Sequence, residues 1–173
     1  STMQVLDTQT FSVIAGDVSL AGATLRAPGG RMQIAAVRSA GEVIEKPSLQ
    51  LDSFTRLGEI HLSQGANATV SSAAGAGTVV IRGGQLVVDS FASINANSAG
   101  SGNGAEIGID IRADGAVFTG GAQMLAFSSG TLYAFFASGR APSVAFSPAR
   151  TSNSSVMRCP ASIFSTSGTR HGI

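Results

Sequence analysis

The chain has 173 residues, enough for one ordinary domain with a real core. Charged residues make up 12% and hydrophobic residues 43%, with 22 glycines, no tryptophan and a net charge of +1. This composition argues against a helical bundle, since no stretch sustains a 3.6-residue period with a charged opposite face, and no run of about 18 apolar residues is present to span a membrane as a helix. The start, Ser1-Thr2-Met3, lacks a basic segment leading into an apolar core and a cleavage site. It reads as the start of a mature form or an excised piece. A single cysteine, Cys159, excludes an internal disulfide framework and leaves the compartment open. Charge is unevenly spread. Residues 1–114 carry seven basic and ten acidic side chains, whereas residues 115–173 carry four arginines and no acid.

In chain order, Met3, Val5 and Leu6 offer an entry strand. FSVIAG, DVSLAG and ATLRAPGG then give short strands, with Val18, Leu20 and Leu25 inward and a corner at Pro28-Gly29-Gly30. RMQIAAV restarts the pattern with Met32 and Ile34 inward. Residues 38–57 interrupt it. They hold Glu42, Glu45, Lys46, Asp52 and Arg56, and Pro47 breaks them, so they read as a lateral excursion with a short strand at Leu49–Leu51. Val79–Ile81, Leu86–Val88 and Ile94 form further strands. After a turn at Gly100, Gly102 and Gly104, Ile107, Ile109 and Ile111 alternate as inward residues of the next one. Val117 is expected inward, and Met124–Phe127 form the following strand.

A self-comparison places Val13, Ile34, Leu62, Ile81 and Ile109 in one column, at steps of 21, 28, 19 and 28 residues. Further apolar residues recur about seven and twelve positions later, as Leu20 and Leu25 follow Val13 and as Val88 and Ile94 follow Ile81. Three apolar positions per period predict an all-β parallel β-helix, or β-solenoid, of about five coils of roughly 20–28 residues. One layer cannot bury its own apolar face, so stacking at about 4.8 Å buries a continuous column and pairs every strand. The expected organisation is a rod segment over residues 1–130 and an irregular segment over 131–173. The latter holds three of the five prolines. It reads as a cap over the last coil, a flexible tail or an out-of-frame extension.

The phrases FSVIAGDVSLAGATLRAPGGRMQIAAVRSAGEV and TVVIRGGQLVVDSFASINANSAGSG resemble filamentous haemagglutinin-type exoproteins, the large surface proteins of two-partner secretion found in cyanobacteria and relatives. The resemblance covers about residues 11–130; the tail departs from it. It implies a right-handed parallel β-helix that leaves the cell through an outer-membrane secretion pore and is secreted or held at the outer cell surface. The implied role is structural and adhesive, toward a glycan or protein of a host or neighbouring cell, without catalysis or cofactor.

β-Helices also host enzymes that act on polysaccharides, which need two or three carboxylates within about 5–10 Å. Asp89, Asp110 and Asp114 are the candidates, with Asp89 and Asp110 conceivably stacked. The plainer reading makes them solvated strand and corner residues. His61 is expected to face outward between Ile60 and Leu62. His61 and His171 lie far apart with no cysteine cluster, which argues against zinc, and Cys159 has no nucleophile context. The pairs Gly29-Gly30, Gly83-Gly84 and Gly120-Gly121 lack the helix and lysine of a phosphate loop and read as corners. Arg82 and Arg112 are placed to stack and to pair with Asp89 or Asp110. Few aromatics accompany the arginines, which argues against nucleic-acid binding. The sequons at Asn67 and Asn153 read as chance.

Overall fold

A computed structural model describes residues 1–45, 49–100, 102, 104–128, 131–135 and 143–146, with the last two segments as backbone. Cys159, His171, the Asn153 sequon and most of the 131–173 segment lie outside the described residues. Among the described residues the chain is all-β, with no helix and mainly parallel sheets. No helix among them is long and apolar enough to cross a membrane.

The strands are β1 (Thr2–Gln4), β2 (Thr10–Ala15), β3 (Val18–Ala21), β4 (Thr24–Arg26), β5 (Arg31–Ala36), β6 (Glu59–Ser63), β7 (Asn67–Thr69), β8 (Thr78–Val88), β9 (Ser93–Asn97), β10 (Ile109–Phe118), β11 (Gln123–Ser128), β12 (Thr131–Phe135) and β13 (Ser143–Phe146). One sheet runs β1-β4-β7-β9-β11-β12. The other runs β13-β10-β8-β5-β2, with β3 and β6 joined to it through the second half of β8. β12 pairs antiparallel with β11, and β13 antiparallel with β10; the other strand pairs are parallel.

The parallel registers place three apolar columns through the interior. The first holds Val13, Ile34, Ile81 and Ile111. Leu20, Leu62, Val88 and Phe118 form the second, and Leu25, Ala68, Ile94 and Met124 the third. Away from the β1 end these side chains are fully or almost fully buried. Two expectations are thereby corrected. Leu62 belongs to the second column, because the excursion precedes it and displaces its count. Ile109 pairs with Val79, so Ile111 follows Ile81. Ile107 lies before the strand and is 41% exposed.

The bend between the first two strand positions explains a further departure. Ile109, Ile111 and Ala113 face inward, but so do Ala116 and Phe118. Strict alternation over a straight strand cannot place both odd and even positions inside. The chain turns at Asp114-Gly115, uses one extra residue, and leaves Val117 on the outer side. Pass by pass, the same switch occurs at Gly16-Asp17 and at Gly83-Gly84. Gly83-Gly84 is therefore a bend inside β8, next to Leu57 and Gly58 of the neighbouring pass. Glycine is required where passes touch: a Cβ on Gly77 would sit 1.6 Å from the Gly30 carbonyl oxygen, and one on Gly58 1.8 Å from that of Gly16.

The excursion leaves the stack at this same bend. Ala15 and Val18 are three residues apart, whereas their neighbours Ala36 and Ile60 are 24 apart, so 21 residues are inserted. Its neck is closed by the antiparallel bridge Val37–Leu57 and by Arg38 N–H donating to Arg56 O. Asp17 clamps the neck from the pass beside it, accepting from Arg38 Nε at 3.1 Å and from the Glu59 N–H at 2.7 Å. The segment then folds back over the outer face of the sheet. Leu49 and Leu51 bury against Ala35 and Val80 in a second apolar cluster, flanked by Val37, Val43, Phe54 and Leu57.

Candidate functional site

Because the excursion covers the outer faces of β5 and β8 but stops short of β10, it leaves a step. That step is a cleft of about 490 Å³. One wall is Leu49–Asp52 with Leu57. The floor is Arg82, Gly83 and Ile111, and the other wall carries Asp110, Arg112 and Asp114 with Ile107 at its edge. Strand alternation supplies that second wall: with Ile109, Ile111 and Ala113 turned inward, residues 110, 112 and 114 must face out.

Arg82 organises the cleft. It is 5% exposed, and its guanidinium is engaged on every side. Nε donates to the Leu49 carbonyl at 3.3 Å. Nη1 donates to the Ile81 and Asp110 carbonyls at 2.9 and 3.1 Å. Nη1 and Nη2 reach the two carboxylate oxygens of Asp110 at 3.2 and 2.6 Å, a bidentate fork. One side chain thus ties the excursion to two successive passes. Arg112 is the register partner of Arg82, is 72% exposed in its side chain, and lies 3.9 Å from Asp110 Oδ1. The stacking of the two arginines and their pairing with Asp110 agree with the sequence reading.

The three acidic candidates do not come together. Asp110 and Asp114 line the cleft, but Asp89 lies nine residues beyond Val80, the register partner of Asp110. The stacking of Asp89 on Asp110, which the sequence left conceivable, does not occur. Asp89 follows the end of β8, and there His61 Nε2 lies 2.9 Å from its Oδ2. That contact, helped by Ser90, holds the Asp89 carboxyl below the usual carboxylate range against the opposing effect of burial. His61 does face the outer side, half-buried and in partnership with the pass beside it. Asp17 is likewise held low, first by Arg38 and then by the Glu59 N–H.

The third carboxylate of the cleft is Asp52, from the excursion. Its charge was visible in the sequence, but nothing local placed it opposite Asp110. The one hint is the Leu49/Leu51 alternation, which implied that this segment packs against something.

Chemically the cleft offers hydrogen-bonding groups over an apolar edge. Asp110 is occupied by Arg82, whereas Asp52, Asp114 and Arg112 are exposed. Among the described residues no group of three or more His, Cys, Asp or Glu side chains is arranged to hold a metal ion. Elsewhere, Asn67 of the first sequon lies in β7 with its Oδ1 accepting from Asn95 Nδ2 at 2.8 Å. Searches against family models, curated proteins and solved structures found no match to the chain.

Proposed function

We propose that the chain is a structural and adhesive segment of a secreted bacterial surface protein. In this reading it is a right-handed parallel β-solenoid of about five coils, a stiff rod that presents binding surfaces and performs no catalysis. The observation that supports it is the three-column register, in which each pass lays its apolar residues over those of the pass before. Such a stack has no natural limit to its length and turns its outer faces toward possible contacts wherever no excursion covers them. The excursion and its cleft are the most elaborated of those faces. The partner is a glycan or protein on a host or neighbouring cell, and export runs through an outer-membrane pore to the cell surface. The parent gene tests this directly: a secretion domain upstream and a pore-forming partner gene beside it are expected. Their absence, together with measurable glycan cleavage by the purified chain, overturns the reading.

The cleft favours a second reading, a polysaccharide-binding or polysaccharide-cleaving segment. Two of the original carboxylates, Asp110 and Asp114, share a groove with two arginines, and Asp52 takes the place of Asp89. Saccharide hydroxyls are met by side chains of this kind, and 490 Å³ is within the range of small-ligand sites. Glycan-array binding that is lost in Asp114→Asn and Arg112→Ala, with the fold intact, supports this reading. Binding unaffected by both changes removes the cleft from it.

A further inference from the structure

The corner between the second and third strand positions suits glycine, and in one pass it carries an aromatic ring. Leu62, Val88 and Phe118 are register partners, as are Asn67, Ser93 and Gln123, so the four residues between them correspond from pass to pass. The third of the four is Gly65, then Phe91, then Gly121, with φ of 71°, 62° and 79°. This is the left-handed region, which a bulky side chain enters only at a cost. Phe91 stands there 78% exposed, so burial offsets little of that cost. An exposed aromatic is ordinary by itself. One held on a strained backbone with little burial in return points to a use outside the core.

The passes on either side leave room for the ring. A Cβ on Gly121 would lie 2.6 Å from Phe91 Cδ1, so the ring lies against that glycine. A Cβ on Gly65 would meet nothing within 4 Å, so the side toward that pass is open. Hydrogen-bonding groups flank the ring along the chain. Asp89, two residues before, is held by His61. Ser93, two residues after, belongs to an outward polar rank with Asn67 and Gln123.

We propose, building on the reading that the rod binds a glycan, that Phe91 is a stacking platform for a neutral glycan whose pyranose rings present flat C–H faces, as β-linked glucose does. This surface is separate from the cleft. A protein partner would need a contiguous apolar patch around the ring, and the corner offers glycines and polar groups instead. A pyranose matches it, with an apolar face for the ring and a rim of hydroxyls for the serines and amides beside it. The Asp89 carboxylate next to the ring disfavours an acidic sugar.

The experiment titrates cellohexaose into the native chain, Phe91→Tyr and Phe91→Gly, followed by NMR, with thermal unfolding of all three. The native chain is expected to bind with shifts centred on Phe91 and Ser93, and Phe91→Tyr should retain binding. Phe91→Gly should weaken it by about tenfold or more. The same variant should raise the thermal midpoint by about 2–4 °C, because glycine relaxes the corner. A midpoint that falls instead shows that Phe91 serves packing and overturns the proposal. So does equal binding by Phe91→Gly, or none by the native chain. Shifts confined to the cleft overturn the platform and leave the glycan reading standing, whereas a native chain that binds no glycan on an array removes both. Self-association of the native chain that Phe91→Gly abolishes makes the occupant a second copy and likewise overturns the proposal.

Discussion

At the scale of single residues, three charged contacts matter: Arg82 with Asp110, Arg38 with Asp17 and His61 with Asp89. Arg82 is a buried cation whose hydrogen bonds and counter-charge come from three different places in the chain. Removing it leaves the largely buried Asp110 carboxylate with only the exposed Arg112 nearby, and breaking such a buried pair typically costs about 3–5 kcal/mol. Arg82→Met is expected to lower urea-unfolding stability by about 3 kcal/mol, with Asp110→Leu in addition restoring part of the loss. No restoration would mean that the Leu49 carbonyl contact, and not the ion pair, is what Arg82 contributes. Asp17 and Asp89 carry the pH dependence. Both are held below the ordinary value of 3.8 in the folded chain. Their stabilisation is therefore present above that value and is lost as pH falls through their lower folded-state values. Between about pH 5 and about pH 2 the native chain should lose more stability than an Asp17→Asn/Asp89→Asn variant. An NMR titration of His61→Gln should show the Asp89 carboxyl moving up toward 3.8, since His61 is the largest cause of its depression.

At the scale of elements, the excursion is a small packed unit built on the outer face of a sheet. Leu49 is 1% exposed against Ala35 and Val80. Leu49→Ala should destabilise by about 2–4 kcal/mol, as large-to-small changes in packed sites do. The stack beneath should respond differently to loss of the whole unit. Because the insertion leaves and returns at one bend, with Val37 bridged to Leu57, a short turn replacing residues 38–57 should leave the parallel registers intact. Circular dichroism and amide exchange of β8 and β10 should show the stack retained, with exchange faster only at outward positions that the excursion had covered. Collapse of the whole fold would show that the excursion is needed to hold β5 and β8 together.

At the scale of the whole molecule, stability should vary along the columns. Ile81 is fully buried with strands paired on both sides, whereas Val13, in the same column, sits at the open edge. Ile81→Ala should cost about 2–5 kcal/mol and Val13→Ala clearly less, although both remove inward β-branched side chains. Denaturant unfolding with unchanged slope would report the two losses on one scale. Equal losses would show that the β1 end is already covered in solution.

Much of this molecule was legible in the chain itself. The β class, the identity of most inward residues and the three apolar positions per pass follow from local patterning: β-branched alternation, glycine at close approaches, and recurrence such as Ile81, Val88 and Ile94. Each of these depends on neighbours a few residues away, and that much any single pass contains. What the tertiary structure decided lies between passes. The place of the 21-residue insertion was visible at residues 38–57, but not that it falls between two strand positions of one pass, so Leu62 was assigned to the wrong column. The bends at Gly16, Gly83 and Asp114 shifted the alternation by one residue, which in a period-2 structure reverses the face and turned Val117 outward. The partners of charged groups depend on those registers. Of the two acids open to Arg82 it was Asp110 that met it, Asp89 met His61, and Asp52 reached the cleft from a segment whose Leu49/Leu51 alternation showed that it packs but not against what.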